Sequence, residues 1–350
     1  MSKKEVCISC FCEKEGAVCS RCGYAESENR KNSLLPARTL LEGRYLTGEV
    51  IGIDSASADY KALDTEKKMI VEIQEYFPRD TVSRKTGSNE LEANFLEQTR
   101  AYDRIVEEIK IDAEKAERFS NEENLLRIIG SFKCNNTVYV VKEYVEGMYL
   151  SDFMKANGGS FDSETVLSIM VPVLNGLSVL HDAGMFHGAV SSQNIILTVN
   201  NQIKISDYGF FKKILPCMED DITVRFDPGY APPENHRVNM RKGAFSDVYS
   251  VAAVIYELLT GKKPSDALNR MNGEKIVAPK ELNPEIPDHV NDSVMKALDM
   301  NPDSRFANAS DFRSCITGEK EISEFSSKPH GTKKHADNLF RKLKQRLSIN

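Results

Sequence analysis

Leu180-His-Asp-Ala-Gly-Met-Phe-His187, Asn194-Ile-Ile-Leu197 and Asp207-Tyr-Gly209 follow closely on the longest apolar stretch of the chain, residues 166–180. Pro172, Asn175 and Ser178 interrupt that stretch, which reads as too short to cross a bilayer. Upstream, alternating runs at 45–53, 58–63 and 69–73 are strand signals, and a Glu/Lys/Ala-rich stretch at 90–118 has helical spacing. Two more strand-like runs, 125–132 and 137–144, precede a long region of helical patterns, and no internal repeat is present. The expected class is α+β, a small β-rich lobe with one long helix followed by a larger helical lobe. The 350 residues suit two such units plus a small appendage, and 41% hydrophobic residues suffice for a core. A net charge of −6 excludes wholesale electrostatic binding of nucleic acid or acidic membrane. No apolar run follows Met1-Ser-Lys-Lys-Glu5, so no secretory signal is read and a cytoplasmic protein is expected.

The motifs, in order, resemble those of bacterial, eukaryotic-like serine/threonine protein kinases. Val71-Glu-Ile-Gln-Glu-Tyr-Phe-Pro78 resembles the strand that carries the family's phosphate-gripping lysine, and Val140-Val-Lys-Glu-Tyr-Val-Glu-Gly147 the strand and hinge beside adenine. The segment 180–197 resembles the catalytic loop, Asp207-Tyr-Gly209 the D-F-G position, and Gly229-Tyr-Ala-Pro-Pro-Glu234 the A-P-E motif. Ser246-Asp-Val-Tyr-Ser250, Glu257-Leu-Leu-Thr-Gly261 and Asn301-Pro-Asp-Ser-Arg305 complete the series, so that the resemblance covers residues 44–318. It implies a bilobal kinase fold, with the small lobe at 44–145 and the large lobe at 146–318.

The departures from the pattern bear on function. Phosphoryl transfer is mostly positioning and charge neutralisation, so few parts are needed and each matters. The gripping lysine falls at Gln74, and the catalytic-loop aspartate at Ala189 in His187-Gly188-Ala189. Loss of a positioned base costs about 10²–10⁴ in rate. Gly188 also removes the arginine that would answer phosphorylation. The phosphate loop, Gly52-Ile-Asp-Ser-Ala-Ser57, keeps one glycine of three and puts Asp54 where phosphates should approach. For the helix acid, Glu97 or Gln98 fits one register and Asp112 another. Glu72, Asp59 and Lys142 replace an alanine, a valine and the gatekeeper around adenine. Alternation along the strand turns Glu72 and Gln74 into the cleft together. The Lys142 ammonium is expected to pair with Glu72 and fill the adenine pocket, each charge offsetting the other's burial. The rival arrangement carries Lys142 to Asp207 and leaves Glu72 exposed. Asp247, Glu234 and Arg305 match architectural positions. Asn194 and Asp207 match the two magnesium-ligand positions, where a structural role is expected ahead of a metal role, so ATP with Mg²⁺ is a doubtful cofactor.

Five of the eight cysteines lie between Cys7 and Cys22. Cys7-x2-Cys10 and Cys19-x2-Cys22 are two pairs able to complete a tetrahedral zinc site, and so short a segment has no core to fold without metal. Residues 1–25 are therefore expected to form a structural zinc ribbon, with Cys12 a spectator and residues 26–43 a polar linker. The tail, 319–350, ends in a basic stretch whose Leu339, Phe340, Leu343 and Leu347 share a helical face. Residues 331–350 fit an anionic membrane surface or an acidic partner, or a solvated terminal helix.

Three functions follow. The leading one is a pseudokinase acting as a protein-binding, scaffolding or signalling module. The alternative is an atypical ATP-dependent serine/threonine kinase with a relocated lysine, Lys61 or Lys142. The third is a nucleic-acid-linked regulator acting through the ribbon, thinly supported by Lys3, Lys4 and Arg21, so that nucleic acid is not an expected partner.

Overall fold

A computed structural model describes residues 5–26, 33–207, 227–236 and 240–325. The basic tail, Tyr208 and Gly209 lie outside the described residues. Strands β1 (Glu5–Val6) and β2 (Glu13–Lys14) pair antiparallel around the first cysteines. Next come β3 (Leu40–Leu41), β4 (Tyr45–Ile53), β5 (Ser57–Asp64) and β6 (Met69–Tyr76), then a short pair, β7 (Val82–Arg84) and β8 (Leu91–Ala93). Helix α1 (Thr99–Ala116) leads to β9 (Ile128–Cys134) and β10 (Thr137–Glu143). The main sheet runs β3-β4-β5-β6-β10-β9, antiparallel throughout.

Period-two alternation gives this sheet two buried faces. Tyr139, Val141, Ile73 and Tyr60 turn to an outer cluster with Leu35, Leu41 and Tyr45. Val138 and Val140 turn to the face covered by α1, whose Tyr102, Ile105, Val106, Ile109 and Ala113 recur at helical spacing. Leu34 and Leu35 are buried, so residues 33–43 belong to the small lobe; the linker expected at 26–43 is corrected on that point. The helical reading of 90–118 also gives way at its start, where β8 pairs with β7.

Beyond the hinge lie β11 (Gly147–Tyr149), α2 (Leu150–Ala156), α3 (Ser163–Asp182), β12 (Ile195–Thr198) and β13 (Ile203–Ile205). Helices α4 (Ala244–Thr260), α5 (Ala267–Met271), α6 (Pro279–Leu282), α7 (Asp288–Ala297) and α8 (Ala309–Ile316) follow. The apolar stretch 166–180 lies inside α3, a 20-residue helix long and apolar enough by composition to span a membrane, contrary to the sequence reading. Its Val166, Met170, Val173, Leu174, Leu177 and Leu180 are buried in the large lobe's core, packed toward α4 and α8. The larger core cluster is continuous across both lobes, from Tyr76 and Tyr102 through Leu174 and Val251 to Phe312.

Candidate functional site

The register of β6 against β10 decides the cleft: Val140 opposes Gln74 and Lys142 opposes Glu72, so these polar side chains share the α1 face. Lys142 is buried, and its Nζ lies 2.6 Å from Asp207 Oδ1 and 3.0 Å from Glu72 Oε1. The expected Glu72 pair therefore forms, but the ammonium is nearer Asp207. That proximity is the outcome the rival arrangement expected, while Glu72, against the rival, is not left exposed; the two-member pairing is corrected to a bridge. Burial works against the charged Lys142, yet Asp207, Glu72 and Asp59 outweigh it and hold its pKa above the ordinary lysine value. Gln74, in the lysine's place, donates from Nε2 to Asp207 Oδ1 and to Ser57 Oγ, each at 3.3 Å. Asp59 faces the same cluster with a buried Oδ1 that accepts no hydrogen bond. Burial pushes its carboxyl well above the usual range, with Lys142 opposing and Glu72 and Asp207 adding to the rise.

The phosphate loop is closed on itself. Asp54 Oδ1 accepts from the amides of Ala56 and Ser57, both at 2.6 Å, so the loop's own carboxylate occupies donors that an anion would use. A cavity of about 130 Å³ remains, lined by Gly52, Asp59, Glu72, Tyr144, Tyr149 and Ile196 among others, well below the ~300–1,000 Å³ of ordinary ligand pockets. Lys61 faces the cleft wall but pairs with Glu49 at 3.6 Å and lies 4.4 Å above the Tyr144 ring, so it is not a lysine relocated to Asp207. Neither helix acid enters the cluster: Glu97 is exposed on a 3-10 turn before α1, and Asp112 pairs with Lys115 at 3.3 Å.

The catalytic-loop segment keeps its frame. Asp247 on α4 accepts from the backbone amides of His187 and Gly188 at 2.7 Å each, and its carboxylate meets His181 at 2.9 Å. Gly188 has φ +77°, a left-handed conformation that glycine adopts freely. Asn194 Oδ1 accepts from Ser191 N–H at 3.0 Å while Nδ2 donates to the carbonyl of Ala189 at 2.7 Å, so its amide braces the loop at both ends. Ala189 brings no carboxylate to the site. Arg305 donates to both oxygens of Glu234 at 2.7 and 3.0 Å, with both side chains fully buried.

At the N-terminus the thiols of Cys7, Cys10, Cys19 and Cys22 lie within 4.8 Å of one another. Cys7 and Cys22 sulfurs are 3.7 Å apart, and Cys10 and Cys19 sulfurs 3.6 Å. Zinc–sulfur bonds of about 2.3 Å in a tetrahedron put sulfurs roughly 3.8 Å apart, so this four-thiol set fits the ion. Cys12 lies outside the set and accepts from Arg21 Nη1 at 2.7 Å, in keeping with the spectator expected. Sequence reading did not find the ribbon's seat. A Cβ on Gly48 of β4 would meet Ile8 O at 2.1 Å and the Phe11 ring at 2.6 Å. The amide of Glu49 donates to Ile8 O at 2.9 Å. The one sequence signal was a glycine inside a strand pattern, which marks close approach of another backbone.

Comparison with known proteins agrees with this geometry. Residues 48–316 match the family model described as protein kinase domain. A probable serine/threonine-protein kinase of Clostridium acetobutylicum is 28% identical over 283 residues, covering 78% of this chain and 39% of the relative. Serine/threonine-protein kinase PrkC of Bacillus subtilis is 29% identical over 201 residues, 55% of this chain and 31% of the relative. The chain thus spans well under half the length of these two relatives. Among solved structures, PpkA-294 in its apo form superposes with a TM-score of 0.70 at 20% identity, covering 81% of this chain and 99% of that one. The PknI kinase domain of Mycobacterium tuberculosis does so at 0.61 and 18% identity, covering 82% and 100%.

Proposed function

Because the chain belongs to the protein kinase family, we propose that it is a member in which phosphoryl transfer is lost or severely impaired and which works as a protein-binding, scaffolding or signalling module. The observation that carries this reading is the closed cluster in the cleft, in which the Lys142 ammonium is held both by Glu72 at 3.0 Å and by Asp207, 2.6 Å from the carboxylate at a magnesium-ligand position. A fixed internal cation there opposes a mobile divalent one. Asp54 and Asn194 support the same reading, since Asp54 satisfies amides that a phosphate would use and the Asn194 Oδ1, the atom a metal would take, already accepts from Ser191 N–H. With Ala189 in the loop no carboxylate orients a substrate hydroxyl. We take the setting to be cytoplasmic and the partner to be a protein, with residues 331–350 offering a basic segment to an acidic surface. The four thiols are assigned to one structural zinc. Elemental analysis finding no zinc, or a Cys19→Ser form with unchanged metal content, contradicts that assignment.

A second reading has its own support: Lys142 already touches Asp207, as a relocated phosphate-gripping lysine would, and the relatives named above are serine/threonine kinases. The two readings separate in one experiment. The first expects no rise in melting temperature with millimolar ATP, with or without Mg²⁺, and no incorporation of radiolabelled phosphate. Incorporation abolished by Asp207→Ala, with ATP binding lost in Lys142→Ala, establishes the second.

A further inference from the structure

We propose that the four-cysteine ribbon is a metal-dependent clamp on the roof of the cleft, fastening β4 and β5 only while its knuckles are closed around an ion. This rests on the assignment of metal to Cys7, Cys10, Cys19 and Cys22.

The argument begins with how little else holds the ribbon. Its regular structure is β1 and β2, two residues each, and its buried apolar side chains are few. Such a segment is folded by its ion or not at all. The first knuckle also stores strain, because Phe11 has φ +58°, a region that large side chains avoid unless the surroundings impose it. The hydrogen bond from Phe11 N–H to Cys7 O closes this turn, and thiolates 7 and 10 pinned on one ion would hold it closed.

What the strained turn presents is the docking contact itself. Ile8 O accepts from Glu49 N–H at 2.9 Å, and Ser9 Oγ donates to Glu49 Oε1 at 3.1 Å. The Phe11 ring occupies the space that a side chain at position 48 would fill. From Glu49 the connection continues across the sheet: the same carboxylate pairs with Lys61 on β5 at 3.6 Å, and Lys61 lies over the ring of Tyr144, which lines the cavity. Ile51 and Gly52, a few residues farther along β4, line it too. An outer tie runs through Arg38, which donates to Val6 O at 3.0 Å and to Glu26. Opening the knuckle would remove the Ile8 and Ser9 contacts together, uncovering Gly48 and leaving Glu49 and Lys61 to rearrange. The strands so released rest on the outer cluster of the small lobe, not on the core that continues into the large lobe. The consequence is therefore local.

The test is hydrogen exchange on the full chain, with metal content measured on the same sample before and after chelation. The expected result is one zinc before chelation, then at least tenfold faster exchange over residues 45–63 after it, with α4 unchanged. Gly48→Ala in zinc-replete protein should speed exchange over residues 5–12 while zinc content stays at one, because its Cβ evicts the knuckle without altering a cysteine; residues 5–12 are the readout for this variant, since the same Cβ also meets Lys61 O of β5 at 3.0 Å. Absence of metal in the untreated protein overturns the metal assignment. Zinc that leaves without changing exchange at 45–63 overturns the clamp alone. Faster exchange of α4 in step with β4 means general unfolding and overturns it too.

Discussion

Lys142 faces three carboxylates, Asp207, Glu72 and Asp59. Replacing it removes the cation that Glu72 and Asp207 share, so Lys142→Met should destabilise the small lobe by about 3–5 kcal/mol. Adding Glu72→Leu should recover part of that loss, and urea denaturation of the four forms of the cycle measures the coupling. Asp59 makes a separate, pH-dependent prediction. Its carboxyl is raised in the fold and returns to its ordinary value, 3.8, on unfolding, so ionisation favours the unfolded chain. Below that value wild type and Asp59→Asn should melt alike. As pH rises above it the wild type should fall progressively behind, and a melting series that stays parallel refutes the assignment. Alternation along β6 and β10 made the shared face of Glu72, Gln74 and Lys142 legible in the sequence. The reach of Lys142 to Asp207 was legible only as a rival to the Glu72 pair, because 65 residues separate the two and only the closed fold shows that one ammonium serves both carboxylates. Asp54 was legible as a misplaced charge but not as the cap of its own turn, since the same residue types form open and closed loops.

At the level of elements, the Glu234–Arg305 pair joins the 3-10 turn at Pro233–His236 to the loop before α8, with both side chains fully buried. Arg305→Met should cost about 3–5 kcal/mol, because it strands a buried carboxylate, and Glu234→Gln combined with it should cost less. Thermal denaturation of both forms decides this; equal loss in the two would mean that packing, not charge, is at work. The order and type of the strands were readable from periodicity and from motifs arriving in sequence. Residues 33–43 were not, because Leu34-Leu35 is too short a run to outweigh the polar residues and Pro36 around it. The seat of the ribbon was equally hidden: Gly48 reads as an ordinary strand glycine until another backbone is set against it.

For the whole molecule, the decisive feature is the continuity of the larger core. Tyr76 and α1 of the small lobe and α3, α4 and α8 of the large one bury their apolar faces in a single cluster. Two lobes with separate cores would melt separately, as beads on a string do. Here, the α1-covered interior of the small lobe cannot be wetted without opening the large one, so the lobes share one cooperative transition, while the outer cluster under β4 and β5 is free to loosen locally. Calorimetry should accordingly give one heat-absorption peak whose calorimetric and van't Hoff enthalpies agree, and two resolved peaks would break the claim. A unit of this kind also constrains inheritance. A substitution deep in α3 lowers the stability of the strands that α1 covers as surely as one beside them, and drift in the large lobe is held in check by the demands of the small one.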